Sequence, residues 1–270
     1  MGHGITQVFA TAGYDVMLRD IDEEILERAR KNIRVSLEKL DEQGKLDEGV
    51  ETVLNRIDTT THLQELDGIH LFVEAVVEQE PIKKDVFSEL DQIVPGTVPF
   101  ASNTSSISIT ELASCTSRPQ RFAGMHFFNP VPLMQLVEVV EGVDTAPETT
   151  RTIHDVAEDI GKTPVTVQDF PGFVSNRILC PMINEAIYAL MEGVGEKEDI
   201  DKIMKLGMGH PMGPLELADM VGLDVLLDVL EVLHEDLGED KYRPCPLLRK
   251  KVEAGHLGKK SGRGFYSYEQ

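Results

Sequence analysis

Met1-Gly2-His3-Gly4-Ile5-Thr6-Gln7-Val8-Phe9-Ala10 opens the chain, and its reading decides the fold of the first half. Gly2 fits the last glycine of a G-x-G-x-x-G turn, where that residue lets the helix pack closely on its strand and the helix N-terminus faces a pyrophosphate. A helix over residues 4–12, a turn at Gly13 and a strand over residues 14–20 (YDVMLRD) follow. That strand ends in Asp20, 18 residues after Gly2, where an acid accepts hydrogen bonds from an adenosine ribose 2′-OH. Half a fingerprint is also what a surface helix with a chance glycine start would show, so the remaining chain must decide between the two.

The strand that carries the first two glycines of such a turn is not in the sequence. In the doubly wound order 3-2-1-4-5-6 it is central, and its loss removes burial comparable to the ~5–15 kcal/mol net stability of a domain. The natural product is therefore expected to start upstream of Met1. The strands over residues 14–20 and 68–77 are expected not to pair with each other.

Apolar residues at Ile25, Leu26, Ala29, Ile33, Leu37 and Leu40 give helical spacing across residues 22–43, and residues 45–54 read as a second helix. Strands are expected over residues 68–77, 97–101, 122–128, 133–140 and 164–167, with a helix over residues 81–93. Alternation of this kind is an α/β layout. After Asp169 the pattern turns helical: residues 176–191, 197–206, 214–220 and 224–237. The fold expected is a Rossmann-type doubly wound sheet over residues 1–169, its first strand missing, followed by an all-helical domain over residues 170–270. Val225, Leu226, Leu227, Val229, Leu230, Val232 and Leu233 make the helix at 224–237 apolar on more than one face, which predicts a homodimer contact there, or else burial within one subunit.

The net charge of −21, from 47 acidic and 26 basic residues, opposes binding to nucleic acid or an anionic membrane. Spread along the helices, that excess suits a hydrated shell in a high-salt cytoplasm, with ordinary acidity as the competing reading. Cys115, Cys180 and Cys245 are odd in number and contain no C-x-x-C, so neither a disulfide framework nor a metal site is expected. With no apolar run of about 18 residues and no leader pattern, a cytoplasmic location is expected.

Chemistry is concentrated in residues 122–140, FAGMHFFNPVPLMQLVEVV. Folding this segment about Pro132 sets His126 opposite Glu138, each six residues away. Facing residues on paired strands lie about 4.5–5.5 Å apart, so the carboxylate can fix the imidazole tautomer and raise its basicity. A structural histidine on a strand is the competing reading. Asn103-Thr104-Ser105-Ser106 follows a strand end, where hydroxyls can meet a substrate oxygen or simply cap a helix.

Glu74-Ala75-Val76-Val77-Glu78, Ser102-Asn103-Thr104-Ser105-Ser106, His126-Phe127-Phe128-Asn129-Pro130, Asp169-Phe170-Pro171-Gly172-Phe173, Asn176-Arg177 and the run from Gly258 to Tyr266 together resemble the 3-hydroxyacyl-CoA dehydrogenase family. The resemblance runs from Met1 to Tyr268. It implies NAD as cofactor and an acyl-CoA as substrate, in fatty-acid β-oxidation or butanoate metabolism. By the same resemblance His126 is the catalytic base, Glu138 its charge partner, and Ser105 and Asn176 the residues that hold substrate oxygens. Gly2, Asp20, Glu78, Lys83, Ser105, Asn129 and Lys260 match cofactor-contacting positions, and Ser36 matches a CoA-contacting one. Where the family can carry a lysine further along the helix of Ser36, this chain has Gln43, with Lys45 nearby. Two other readings compete: a dehydrogenase of a free hydroxy acid such as a sugar acid, and a non-catalytic binding protein of the same fold.

Overall fold

The computed structural model describes residues 1–66 and 68–268. Glu269 and Gln270, which the sequence reading included in the second domain, lie outside the described residues. Two compact units divide at Asp169 and Phe170.

The first unit begins with α1 (Gly2–Thr11), β1 (Val16–Arg19), α2 (Glu23–Glu42), α3 (Val50–Leu54) and β2 (Ile57–Thr60). It continues through β3 (Phe72–Glu74), α4 (Glu80–Ile93), β4 (Phe100–Ser102), α5 (Ile109–Ser114), β5 (Phe122–Phe127), β6 (Leu136–Glu141), α6 (Pro147–Asp159) and β7 (Thr163–Gln168). β1 and β2 pair in parallel as one small sheet; the other five strands form a second sheet in the order β3-β4-β5-β6-β7. Only β5 and β6 run antiparallel. β1 therefore has β2 as its partner and β3 has β4, and no ladder joins β1 to β3, as the sequence reading expected of these two strands.

Hydrophobic packing of α1 spans that division. Its Ala10 joins Ile33, Leu37, Val53, Leu54 and Ile57 on the side of the small sheet. Earlier in the same helix, Ile5 and Val8 pack with Ala101, Ala123, Met125 and Val139 of the larger sheet. Burial of large side chains, worth about 1.5–3 kcal/mol each, thus links two sheets that share no hydrogen-bond ladder.

Two glycines of α1 differ in how closely the rest of the unit approaches them. A Cβ on Gly2 would meet Ala75 Cβ at 3.9 Å, ordinary contact, whereas a Cβ on Gly4 would stand 3.0 Å from Val131 Cβ. Close approach is thus required at Gly4, two residues further into the helix, and against the loop before β6.

Other differences have local causes. Asp22 caps α2 by accepting the Glu24 N–H at 2.8 Å, with Glu23 and Glu24 at the positive end of the helix. The helix expected over residues 45–54 shrinks to α3, and β2 was not foreseen because only its end residues, Ile57 and Thr60, are buried. The short α5 and the helix α6 were also missed. β6 starts at Leu136 rather than 133 because the N–H groups of Leu133 and Met134 both turn back to Pro130 O at 3.0 Å.

The second unit holds α7 (Ser175–Met191), α8 (Lys197–Met208), α9 (Pro214–Val221), α10 (Leu223–Leu237) and α11 (Pro246–Glu253). Of α10, Leu226, Leu227, Val229, Leu230 and Leu233 are buried in the core of this unit, while Val225 is 42 % exposed. Five of the seven apolar positions named at residues 224–237 are therefore buried within one chain, and Val225 stays exposed. Exposed apolar side chains stand also on α7 and α8, notably Ile178, Ile203, Leu206 and Met208.

Candidate active site

Antiparallel register sets His126 on β5 directly opposite Glu138 on β6. His126 Nδ1 lies 2.8 Å from Glu138 Oε2, and both residues are buried. With Nδ1–H donating to the carboxylate, a neutral imidazole presents Nε2 as its acceptor, and an imidazolium formed there is stabilised by a charge held at hydrogen-bond distance. Phe128 packs against the imidazole, their ring centroids 4.7 Å apart.

Beside this strand end, residues 103–106 are organised by Glu78. Its Oε1 accepts from Thr104 Oγ1 (2.6 Å), the Ser105 N–H (2.8 Å), the Ser106 N–H (3.2 Å) and Ser105 Oγ (3.2 Å). Oε2 of the same carboxylate lies 3.2 Å from Lys83 Nζ. Burial alone would raise the Glu78 carboxyl, but the Lys83 ammonium and these donors outweigh it and hold the group below the usual carboxylate range. Lys83 is enclosed, and its Nζ also lies 2.7 Å from the buried Glu74 Oε1, which shares its carboxylate with Ser102 Oγ at 2.6 Å through Oε2. Lys83 is thus internal to the protein, supporting Glu74 and Glu78. Asn103 ties the segment to the histidine strand: its Oδ1 accepts the Phe127 N–H at 2.9 Å. The helix cap that competed for these hydroxyls is supplied by Ser108, which accepts from Glu111 N at the start of α5.

A cavity of about 270 Å³ lies between α1, α2 and the loop before β6. Asn32, Ser36 and Lys39 line it from one stripe of α2 and Gln43 from the cap just past its end, Gly4 and Gln7 from α1, and Asn129 to Leu133 from the loop. Ser36 and Asn129, matched to ligand positions by resemblance, therefore border one space. Lys39 was missed, although its spacing three residues beyond Ser36 puts it on the same helical face. Asp20 stands just past the end of β1, its Oδ1 accepting the Ile21 N–H at 2.8 Å.

The remaining two candidates lie in the second unit. Asn176 sits in the first turn of α7, after a tight entry in which Gly172 and Phe173 both have positive φ, 72° and 50°. Phe173 is a strained position for a side-chain-bearing residue, and it is buried. Lys260 Nζ is bonded to Asp224 Oδ2 at 2.6 Å, at the start of α10.

A Rossmann-type unit with a buried imidazole–carboxylate pair at its strand ends is the plan of a nicotinamide-dependent dehydrogenase. The family model for the 3-hydroxyacyl-CoA dehydrogenase NAD binding domain matches residues 1–170, and that for the C-terminal domain matches residues 172–268. The chain is 59 % identical over 268 residues to a probable 3-hydroxybutyryl-CoA dehydrogenase of Deinococcus radiodurans, with 99 % of this chain and 96 % of that one covered. It is 45 % identical to the mitochondrial hydroxyacyl-coenzyme A dehydrogenase of Sus scrofa, with 100 % and 88 % covered. The crystal structure of (S)-3-hydroxybutyryl-CoA dehydrogenase from Ralstonia eutropha superposes with a TM-score of 0.97 at 46 % identity, covering 100 % of this chain and 96 % of the other. This chain belongs to the 3-hydroxyacyl-CoA dehydrogenase family.

The residues present fit a dinucleotide. In a chain with 47 acids, the first turn of α1 has no acidic residue, so its own side chains place no negative charge against an anion at the positive end of the helix.

Proposed function

We propose that this protein is an NAD-dependent dehydrogenase of short 3-hydroxyacyl-CoA thioesters. The observation that carries the reading is the 2.8 Å contact between His126 and Glu138 inside the unit that matches the NAD binding domain. His126 Nε2 accepts the proton of the 3-hydroxyl, and Glu138 stabilises the imidazolium that results. Ser105, held by Glu78, orients the substrate hydroxyl, and Asn176 holds the thioester carbonyl. NAD, when bound, supplies the hydride acceptor. Gly2, Asp20, Glu78, Asn129 and Lys260 are the residues we assign to holding it, with Lys83 fixing Glu78 from within. Ser36 and Lys39 border the space assigned to CoA.

The first test compares 3-hydroxybutyryl-CoA with free 3-hydroxybutyrate, following NADH formation. Binding energy from the remote CoA moiety should give the thioester a kcat/KM about 100-fold or more above the free acid. Equal values for the two would remove the CoA assignment and favour a free hydroxy acid as substrate.

We further assign the protein to the cytoplasm and to fatty-acid or butanoate metabolism. Its three cysteines are free thiols, and among the described residues no helix is long and apolar enough to cross a membrane. We also propose a homodimer formed through the helical unit, supported by the exposed Ile178, Ile203, Leu206 and Met208. Light scattering at micromolar concentration should give the mass of two chains; a fully active species with the mass of one would exclude the dimer.

A further inference from the structure

We propose that Lys162 is a positioning residue that holds the cavity wall formed by residues 129–134, and so sets how well the thioester is bound; the proposal rests on the thioester reading above. After α6 the chain turns at Gly161, and the Lys162 N–H bonds to Ala157 O at 2.9 Å. The Lys162 side chain runs inward and is 9 % exposed. Its Nζ donates to Val131 O at 2.7 Å and to Met134 O at 2.9 Å. No carboxylate pairs with it among the described residues, and burial pushes its ammonium below the usual lysine range. A desolvated cation is costly, so a lysine held here by two carbonyl dipoles alone marks a place where those carbonyls must be held.

The loop explains why. Pro130 and Pro132 have no N–H, so neither can donate to a ladder. The N–H groups of Leu133 and Met134 converge on one acceptor, Pro130 O. That leaves the carbonyls of Val131 and Met134 to be taken from outside the loop, and one ammonium takes both. Asn129 to Leu133 form one wall of the cavity, and Val131 is also the residue against which Gly4 packs. The opposite wall is the stripe of α2 with Asn32, Ser36 and Lys39, and Gln43 just past its end. Lys162 therefore fixes the spacing between these walls. It does not touch the His126 and Glu138 pair, whose alignment is set by the ladder between β5 and β6.

Steady-state kinetics on Lys162→Met should separate wall from chemistry. We expect the KM for 3-hydroxybutyryl-CoA to rise about tenfold or more, with kcat within about threefold and only a small rise in the KM for NAD, transmitted through Asn129. Lys162→Arg, whose guanidinium can span two carbonyls, should recover most of the thioester KM. Hydrogen exchange should show the Leu133 and Met134 amides opening faster in Lys162→Met while α2 keeps its protection. Should that variant not fold, Lys162→Gln, which keeps a polar group too short to reach both carbonyls, carries the same measurements. An unchanged thioester KM, or a parallel loss in kcat and in the KM values for both substrates, would overturn the proposal. If the wild-type chain turned over no thioester, the functional reading would fall, and exchange at Leu133 and Met134 would still decide whether Lys162 holds the wall.

Discussion

Replacing His126 by Gln is expected to lower kcat by about 10²- to 10⁴-fold while NADH affinity hardly changes. The glutamine amide can keep a hydrogen bond to Glu138, but it cannot take a proton at neutral pH. Its effect is confined to the transition state, in which the hydroxyl proton is leaving, so the loss should appear equally in kcat and kcat/KM. Glu138→Gln should lower kcat by less, because the imidazole remains and only the charge opposite the imidazolium is lost. The two changes should not be additive, since each acts through the other's hydrogen bond at 2.8 Å. Stopped-flow turnover together with NADH titration by fluorescence gives both quantities. Near-normal turnover in His126→Gln would remove the base from the mechanism and leave the buried pair as a structural one.

That pair was legible from the chain because antiparallel pairing converts spacing into contact: six residues on either side of Pro132 put His126 and Glu138 in register. The same logic made the parallel strands and long amphipathic helices readable, since each leaves a periodic trace. Side chains that act through backbone carbonyls leave none. Lys162 looks like any lysine between a helix and a strand, and its partners Val131 and Met134 are about thirty positions away and contribute only main-chain oxygens. The supporting role of Glu74 and Lys83 was hidden for a related reason. A buried ion pair between a strand and the following helix has no sequence pattern to distinguish it from a solvated one. β2 escaped notice because IDTT buries only its two ends. α10 shows the converse limit: a helix apolar on several faces must be buried, but the sequence does not say whether by its own subunit or by another.

In the second unit the largest expected loss of stability is at Asp219, which joins the C-terminal segment to α9. The carboxylate is buried and accepts the N–H groups of Phe265 and Tyr266, each at 2.8 Å, and the Tyr268 hydroxyl at 3.0 Å. Burial, and then the nearby Asp219 charge, push the Tyr268 hydroxyl above the usual tyrosine range, so it remains a donor. Bonds of this kind to a charged acceptor contribute about 1.5–3 kcal/mol each and share one acceptor group, so Asp219→Ala should cost about 4 kcal/mol, a large part of a domain's stability. Gly264→Ala approaches the same contact from the other side, because a Cβ there would lie 1.8 Å from Asp219 Oδ1. The alanine must push the segment off the carboxylate, so the double variant should lose little more than the worse single one. Hydrogen exchange at the Phe265 and Tyr266 amides reads this unit directly, without assuming that the two units unfold together. Those amides should lose protection in both variants. The turn of residues 258–263, which carries Lys260 and closes on itself through the Gly258 and Arg263 main chains, should loosen with them. A cost below about 1 kcal/mol for Asp219→Ala, or full additivity with Gly264→Ala, would mean that the segment is held by its apolar contacts rather than by this carboxylate.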